Sequence, residues 1–521
     1  MKIDKKIVCL FIAGVFFLSI YTSAAKSATK PTSTEIEKLY DEFENCYQIS
    51  SFDNGEDIDP LVDLEVTVTI NEIRALDPID DIGQADFYVK VFINDEQFKS
   101  STWFNQNYIN EPWSATLNVP DEEENVSIKI QLWDWKLGFD RICDLNDNGG
   151  FFMNKYDINL VYNLKTAQWT GDDYLYPFSS WADLSGYGRL NGCDDNSIYQ
   201  EERDCLILFD ITQNDYDEDN IPYWTEVNVY NTDPTVDDTG RDDDTDGVPI
   251  EWEFRWGTVL DFDYHTQTWR FVFIYDPFEW EDHSTLDPDD DGLDNVEEYL
   301  TSAWGSDPYR KDIFVELDQM EAGPNGEKAS LLPEKSKDLL RDVFDRQNIV
   351  FHLDDGVMGG GEMIPFDLET PREELVGIYQ QYFLHGDEHN WRKGAFHYGI
   401  VVYDGTYSGF VFGTDDGYWG AWQISSKRVD KNRFATGYGI TYASVYMHEL
   451  GHTLDIRIPG GHDAISGFPW EPGWWKWRPY KSCMNYGYTY FLVDYSDGSR
   501  GRNDHDDWST LDLPAFQRNI D

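Results

Sequence analysis

The chain has 521 residues and sets 40 Lys and Arg against 99 Asp and Glu, a formal net charge of −59. So acidic a chain lacks the basic surface that nucleic acid or an anionic bilayer requires. Its 16% aromatic and 40% hydrophobic content excludes simple disorder. At about 150 residues per domain, the length fits about three or four structural units. The acids form either a solvated surface of the salt-adapted kind or clusters that await cations, and their placement decides.

In chain order, Lys2, Lys5 and Lys6 precede an apolar run from Ile7 to Ile20, and small residues follow at Ser23 and Ala25. The pattern predicts a secretory signal over 1–25, with an uncleaved anchor as the alternative, although the run is short for a span. The chain is then expected to be secreted or associated with the cell surface. Residues 26–60 are polar and read as a linker or short pro-segment. Beyond the signal stand Cys46, Cys143, Cys193, Cys205 and Cys483. Cys193 and Cys205 bracket a turn-rich stretch and are the expected disulfide in an oxidising compartment. Cys46 is a candidate for masking a metal as a thiolate.

Residues 61–209 alternate apolar and polar positions in LEVTVTI (64–70), FYVKVFI (87–93) and VSIKIQLW (126–133). That period predicts an antiparallel β-sandwich. Asp80 and Asp86 frame the turn before the second run, and Asp134 and Asp140 follow the third. In these two loops the segment resembles a C2 domain, the calcium-binding sandwich of lipid- and protein-recognition modules. The resemblance implies a calcium-dependent contact with a surface or protein. Lys136 departs from it, standing where the family usually has another loop aspartate.

Over 210–305 one acidic spacing occurs three times. Asp215, Asp217 and Asp219 lead to Glu226; Asp242, Asp244 and Asp246 lead to Glu253; Asp287, Asp289 and Asp291 lead to Glu298. Side-chain oxygens at loop positions 1, 3, 5 and 12 can wrap a hard cation, and Asn220, Gly247 and Gly292 take the sharp turn at position 6. Calcium is the expected ion. Pro222, Pro234 and Pro249 are expected to interrupt the helices of a true EF-hand. The pattern resembles instead the calcium-stapled aspartate repeats of thrombospondin-type and bacterial surface proteins, a rigid spacer with little apolar core.

Residues 306–521 read as an α/β domain: strands at 312–318, 349–354, 396–403 and 419–425, with a helix at 333–347. A proline-free helix then carries HELGH, His448 to His452. Residues four apart share a helix face, so His448 and His452 can grip one zinc ion, with Glu449 placed to accept a proton from metal-bound water. The turn SCMNYGY follows, with Met484 and Tyr486. Together these motifs resemble the metzincin clan of zinc endopeptidases. The resemblance implies Met484 as a hydrophobic floor beneath the metal and Tyr486 as an oxyanion-stabilising group. It is broken at the usual third ligand, where Ile458 stands; His462 is the expected replacement, with Asp463 as the rival. His385 to His389 spell the inverted motif but read as a loop. Trp474, Trp475 and Trp477 either line a cleft or pack the lower subdomain.

These readings predict a multidomain chain: an N-terminal antiparallel sandwich, a calcium-stapled acidic region and a C-terminal α/β metzincin-like domain. The expected activity is peptide-bond hydrolysis on a protein or peptide substrate, with zinc and calcium as cofactors. A calcium-dependent adhesion or scaffold protein with a degenerate protease domain is the alternative, and a zinc hydrolase of cell-wall or glycan amides a third.

Overall fold

The computed structural model describes residues 57–80, 82–146, 156–173, 187–193, 203–263, 268–412, 420–432, 437–458, 460 and 468–519. The predicted signal, most of the linker, Cys46, His462 and Asp463 lie outside the described residues. Among the described residues, Asp261–Phe273 group apart from a second compact unit, which takes in Leu260 and the residues before it and Ile274 onward. No helix among the described residues is long and apolar enough to cross a membrane.

The second unit opens with eleven strands: β1 (Glu65–Ala75), β2 (Phe87–Ile93), β3 (Glu96–Lys99), β4 (Tyr108–Ile109), β5 (Trp113–Asn118), β6 (Asn125–Asp134), β7 (Arg141–Ile142), β8 (Ile158–Asn163), β9 (Gln168–Gly171), β10 (Arg189–Asn191) and β11 (Cys205–Gln213). They form two antiparallel sheets. One runs β10-β11-β1-β4 with β5 also on β1, and the other β3-β2-β6-β8-β9 with β7 on β6. The alternation read from the sequence is what buries one face of each. Val66, Val68 and Ile70 of β1 meet Val89, Val91, Ile128 and Ile130 in one core. On the outer face, Thr67 and Thr69 form a hydroxyl ladder with Thr116 and Ser114 at 2.8 and 3.0 Å.

Each aspartate loop leads into a short helix: α1 (Tyr223–Thr225, continuing as a π turn through Tyr230), α2 (Ile250–Gly257) and α3 (Asn295–Thr301). This corrects the expectation that proline interrupts them. Pro222 and Pro249 occupy the N-cap, where no intrahelical N–H is needed, and so start helices instead of ending them. Val248, Trp252, Trp256 and Tyr275 join the sandwich core, whereas Leu293 joins a C-terminal one. The acidic segment thus borrows both its cores. β12 (Thr258–Asp263) and β13 (Thr268–Phe273) form a two-stranded sheet.

The C-terminal layer contains β14 (Asp312–Met320), α4 (Glu334–Asp345), β15 (Val350–Asp354), β16 (Met363–Ile364), α5 (Arg372–Ile378), α6 (Arg392–Ala395), β17 (Phe396–Val402), β18 (Gly409–Phe412), β19 (Ala421–Ser425), α7 (Ser426–Val429), α8 (Tyr438–Thr453) and α9 (Pro472–Trp477). Its sheet runs β15-β14-β17-β19-β18, parallel except for β18, with β16 also on β14. α4 and α8 cover one face through Leu340, Phe344, Val445 and Leu450 against Ile313, Val315 and Leu317. Arg74 of β1 pairs with Asp342 and Asp345 of α4 at 3.2 and 3.3 Å, fixing the sandwich to this layer.

Candidate metal centres

α8 is buried along almost its whole length, His448 and Glu449 included. It begins after Gly437, whose φ of 100° only glycine adopts freely. The rings of His448 and His452 stand 4.9 Å apart and perpendicular. His448 Nδ1 lies 2.8 Å from the carbonyl oxygen of Cys483, so a metal would be taken through Nε2, as imidazole ligands commonly arrange. Burial pushes the Glu449 carboxyl up to about 8.

The SCMNY turn is built to meet this helix. Asn485 donates from its side-chain amide to the carbonyls of Trp477 and Tyr480 at 3.0 and 2.7 Å, and accepts from Gly487 N–H at 2.8 Å. Met484 is buried directly beneath α8, where a Cβ on Gly451 would come within 2.6 Å of its Sδ. The Tyr486 ring stacks on His448 at 5.7 Å and is 43% exposed. β18 ends the sheet among the described residues and passes so close to Glu449 that a Cβ on Gly409 would collide with Oε1. Of the tryptophans, Trp477 packs into the core, Trp474 lies against Gly487, and Trp475 is exposed. The His385–His389 segment is a loop, as expected, with His389 in solvent.

The three aspartate loops share one geometry. Position 4 (Glu218, Thr245, Asp290) and position 6 (Asn220, Gly247, Gly292) are left-handed in every copy. The position-1 carboxylate accepts the position-6 N–H at 3.1, 3.2 and 2.9 Å. The position-5 carboxylate accepts the position-7 N–H at 2.8, 3.3 and 2.7 Å. Oxygens of the position-3 residues Asp217, Asp244 and Asp289 are buried without hydrogen-bond partners. Each position-12 residue, Glu226, Glu253 and Glu298, is fully buried. Burial lifts Asp215 to about 6, Asp219 to about 7, Glu226 to about 8, and Glu253 and Asp289 to about 10. Asp291 and Glu298 are raised well above the usual range, first by burial and then by Asp312. Orphaned carboxylates converging on one point fit a calcium ion.

Spacing alone missed a candidate ligand that another element adds. Asp312, from β14, lies with Asp291 and Glu298 in one group whose ligand atoms are within 4.8 Å of each other. Its N–H also donates to Asp291 Oδ2 at 2.6 Å. The third loop is thereby joined to the C-terminal sheet.

At one end of the sandwich, Lys136 and Arg141 both pair with Asp80 and Asp134; the Lys136–Asp134 and Arg141–Asp134 distances are 3.1 and 3.3 Å. Asp140 accepts from the Tyr88 hydroxyl at 2.8 Å, and Asp86 accepts from Asn105 N–H at 2.7 Å. Beyond these acids project Ile82, Leu137 and Phe139, exposed at 92, 95 and 90%. The expected Cys193–Cys205 disulfide is absent. Alternation sends the two side chains apart: Cys193 clusters with Leu76 and Leu206, whereas Cys205 enters the sandwich core beside Cys143.

The family model of the C2 domain matches residues 64–149. The sandwich carries a C2 domain. Among solved structures, an isolated C2 domain is 16% identical with a TM-score of 0.17, over 29% of this chain and 97% of that one. Human GIVD cytosolic phospholipase A2 is 17% identical with a TM-score of 0.16, and the match takes in 28% of this chain but only 16% of the phospholipase. A C2 domain protein from Ramazzottius varieornatus is 8% identical with a TM-score of 0.17, over 28% of this chain and 87% of that one. No curated protein matches the chain.

Proposed function

We propose that the chain is a secreted zinc-dependent endopeptidase, braced by calcium and docked through its C2 domain. The observation that carries the reading is the pairing of two imidazoles with a buried carboxyl on α8, where His448 already gives Nδ1 to a carbonyl. That donor set fits zinc, with His462 as the proposed third ligand and Asp463 as its alternative. When bound, zinc supplies a water of lowered pKa and polarises the scissile carbonyl.

The remaining work falls to this chain's side chains. Glu449, buried on the same helix as the two imidazoles, takes the proton of the attacking water and passes it to the leaving amine. The Tyr486 hydroxyl donates to the carbonyl oxygen as charge develops there. β18, the antiparallel strand that ends the sheet among the described residues and runs beside Glu449, offers its backbone to an extended peptide. An adhesion scaffold with a degenerate domain would have no use for a general base placed in this way.

The test is casein cleavage by the processed, zinc-loaded chain. Chelation should abolish cleavage, and Glu449→Gln should abolish it while zinc, counted by mass spectrometry, stays bound. Cleavage that survives either treatment would overturn the reading.

The docking part rests on Ile82, Leu137 and Phe139, which crown one end of the C2 domain. Apolar tips of this kind enter an interface without basic surface, consistent with so acidic a chain.

A further inference from the structure

Beside the second aspartate loop, two side chains far from its spacing complete a different kind of site. His283 opens the turn His283–Thr285 and is fully buried. Its Nε2 has no hydrogen-bond partner and faces Asp246 Oδ2 at 3.2 Å, Glu281 Oε2 at 3.8 Å and Glu253 Oε1 at 3.9 Å. Both glutamate oxygens are also buried without partners.

The imidazole is held firmly. Trp252 and Tyr275 present it with edge contacts at 5.9 and 4.9 Å. Its Nδ1 lies 2.8 Å from the side-chain amide of Asn295, which is itself fully buried and has an unpartnered Oδ1. A half-turn of that amide sets Oδ1 against Nδ1–H, satisfying both atoms and leaving the lone pair on Nε2.

We propose that Asp246, Glu253, Glu281 and His283 bind a divalent transition-metal ion of the zinc class, at a site separate from α8. One nitrogen and three carboxylate oxygens suit zinc, whereas calcium takes six to eight oxygens and no imidazole. In tetrahedral zinc the ligand atoms stand about 3.4 Å apart, close to the separations around His283 Nε2. Asp246 and Glu253 are also positions 5 and 12 of the second aspartate loop, so each would bridge, giving one carboxylate oxygen to this ion and the other to calcium. The ion would therefore staple the calcium loop to α2 and to the 281–283 segment. The rival is a metal-free imidazolium pair, which neutralises one carboxylate of three. The inference stands whatever the HELGH helix does.

The experiment uses the full chain, stripped of metal, reloaded with zinc in calcium buffer and counted by mass spectrometry. The His448→Ala, His452→Ala chain should keep one zinc, and adding His283→Ala should remove it. Glu281→Gln, nearly isosteric, should weaken this zinc at least tenfold in a competition titration while the circular dichroism stays unchanged. Zinc-edge X-ray absorption of the doubly substituted chain should show one imidazole in an otherwise oxygen shell. A doubly substituted chain without zinc, one that keeps its zinc after His283→Ala, or a shell without imidazole overturns the site.

Discussion

His448 and Cys483 are joined by a 2.8 Å contact between Nδ1 and the carbonyl oxygen, linking the HELGH helix to a turn 35 residues further on. The same carbonyl accepts the Thr489 hydroxyl at 2.7 Å. Ring orientation at the proposed zinc is therefore set by the turn as much as by the helix.

That dependence makes Gly451 a sensitive neighbour of the site. A Cβ there meets Met484 Sδ at 2.6 Å and the Tyr495 hydroxyl at 3.0 Å, and that hydroxyl already donates to the Met447 carbonyl. Gly451→Val should cost about 1–3 kcal/mol of stability by overpacking. It should also lower zinc affinity, although no ligand is touched. Unchanged melting and zinc content in Gly451→Val would show that helix and turn are not tightly coupled.

Tyr486 calls for a split between binding and turnover. Its ring stacks on His448 with its edge in solvent, so the stacking survives loss of the hydroxyl. Tyr486→Phe should lower kcat on a peptide by about 100-fold, with KM and zinc content nearly unchanged. A change confined to KM would assign the residue to substrate binding.

The aspartate loops make a signed prediction about pH. In chelated protein, burial holds Asp219 near 7, Glu226 near 8 and Glu253 near 10, all above their unfolded values. The folded chain then keeps protons that the unfolded chain releases. Their contribution is complete below about pH 4 and is lost as pH rises through 7 to 10. Melting temperature in EDTA should fall between pH 5 and 8.5, and trypsin should open the 215–298 region. Saturating calcium should flatten the slope and protect the region. Parallel slopes with and without calcium would contradict clustered carboxylates as its site.

Much of this was legible in sequence wherever the signal was contiguous. HELGH, SCMNYGY and the aspartate loops each lie within a few turns of chain, and the structure sets the His448 and His452 rings 4.9 Å apart with Met484 Sδ close beneath Gly451. What sequence hid came from elsewhere in the fold. Asp312 arrives on β14, and Glu281 and His283 on a turn after the second loop. Pro222 and Pro249 misled because a residue that breaks a helix interior is well tolerated at its start. Cys193 and Cys205 misled because closeness in sequence says nothing about which sheet face each side chain takes.

The C2 tip offers the last prediction. Lys136 and Arg141 stand among Asp80 and Asp134 as fixed internal cations, while Leu137 and Phe139 extend past them into solvent. Phe104 and Trp135, in edge contact at 5.8 Å, stiffen the base of that tip. Burying one large apolar side chain contributes about 1.5–3 kcal/mol, so Phe139→Ser should weaken binding to neutral phosphatidylcholine vesicles by about 10- to 100-fold. Adding Leu137→Ser should deepen the loss by a similar factor. Because the contact is apolar, it should persist at high salt, which would strip a basic patch from a membrane. Vesicle sedimentation with the full chain in calcium buffer measures both effects. Binding that ignores these substitutions, or that vanishes in salt, would move the docking surface away from this tip.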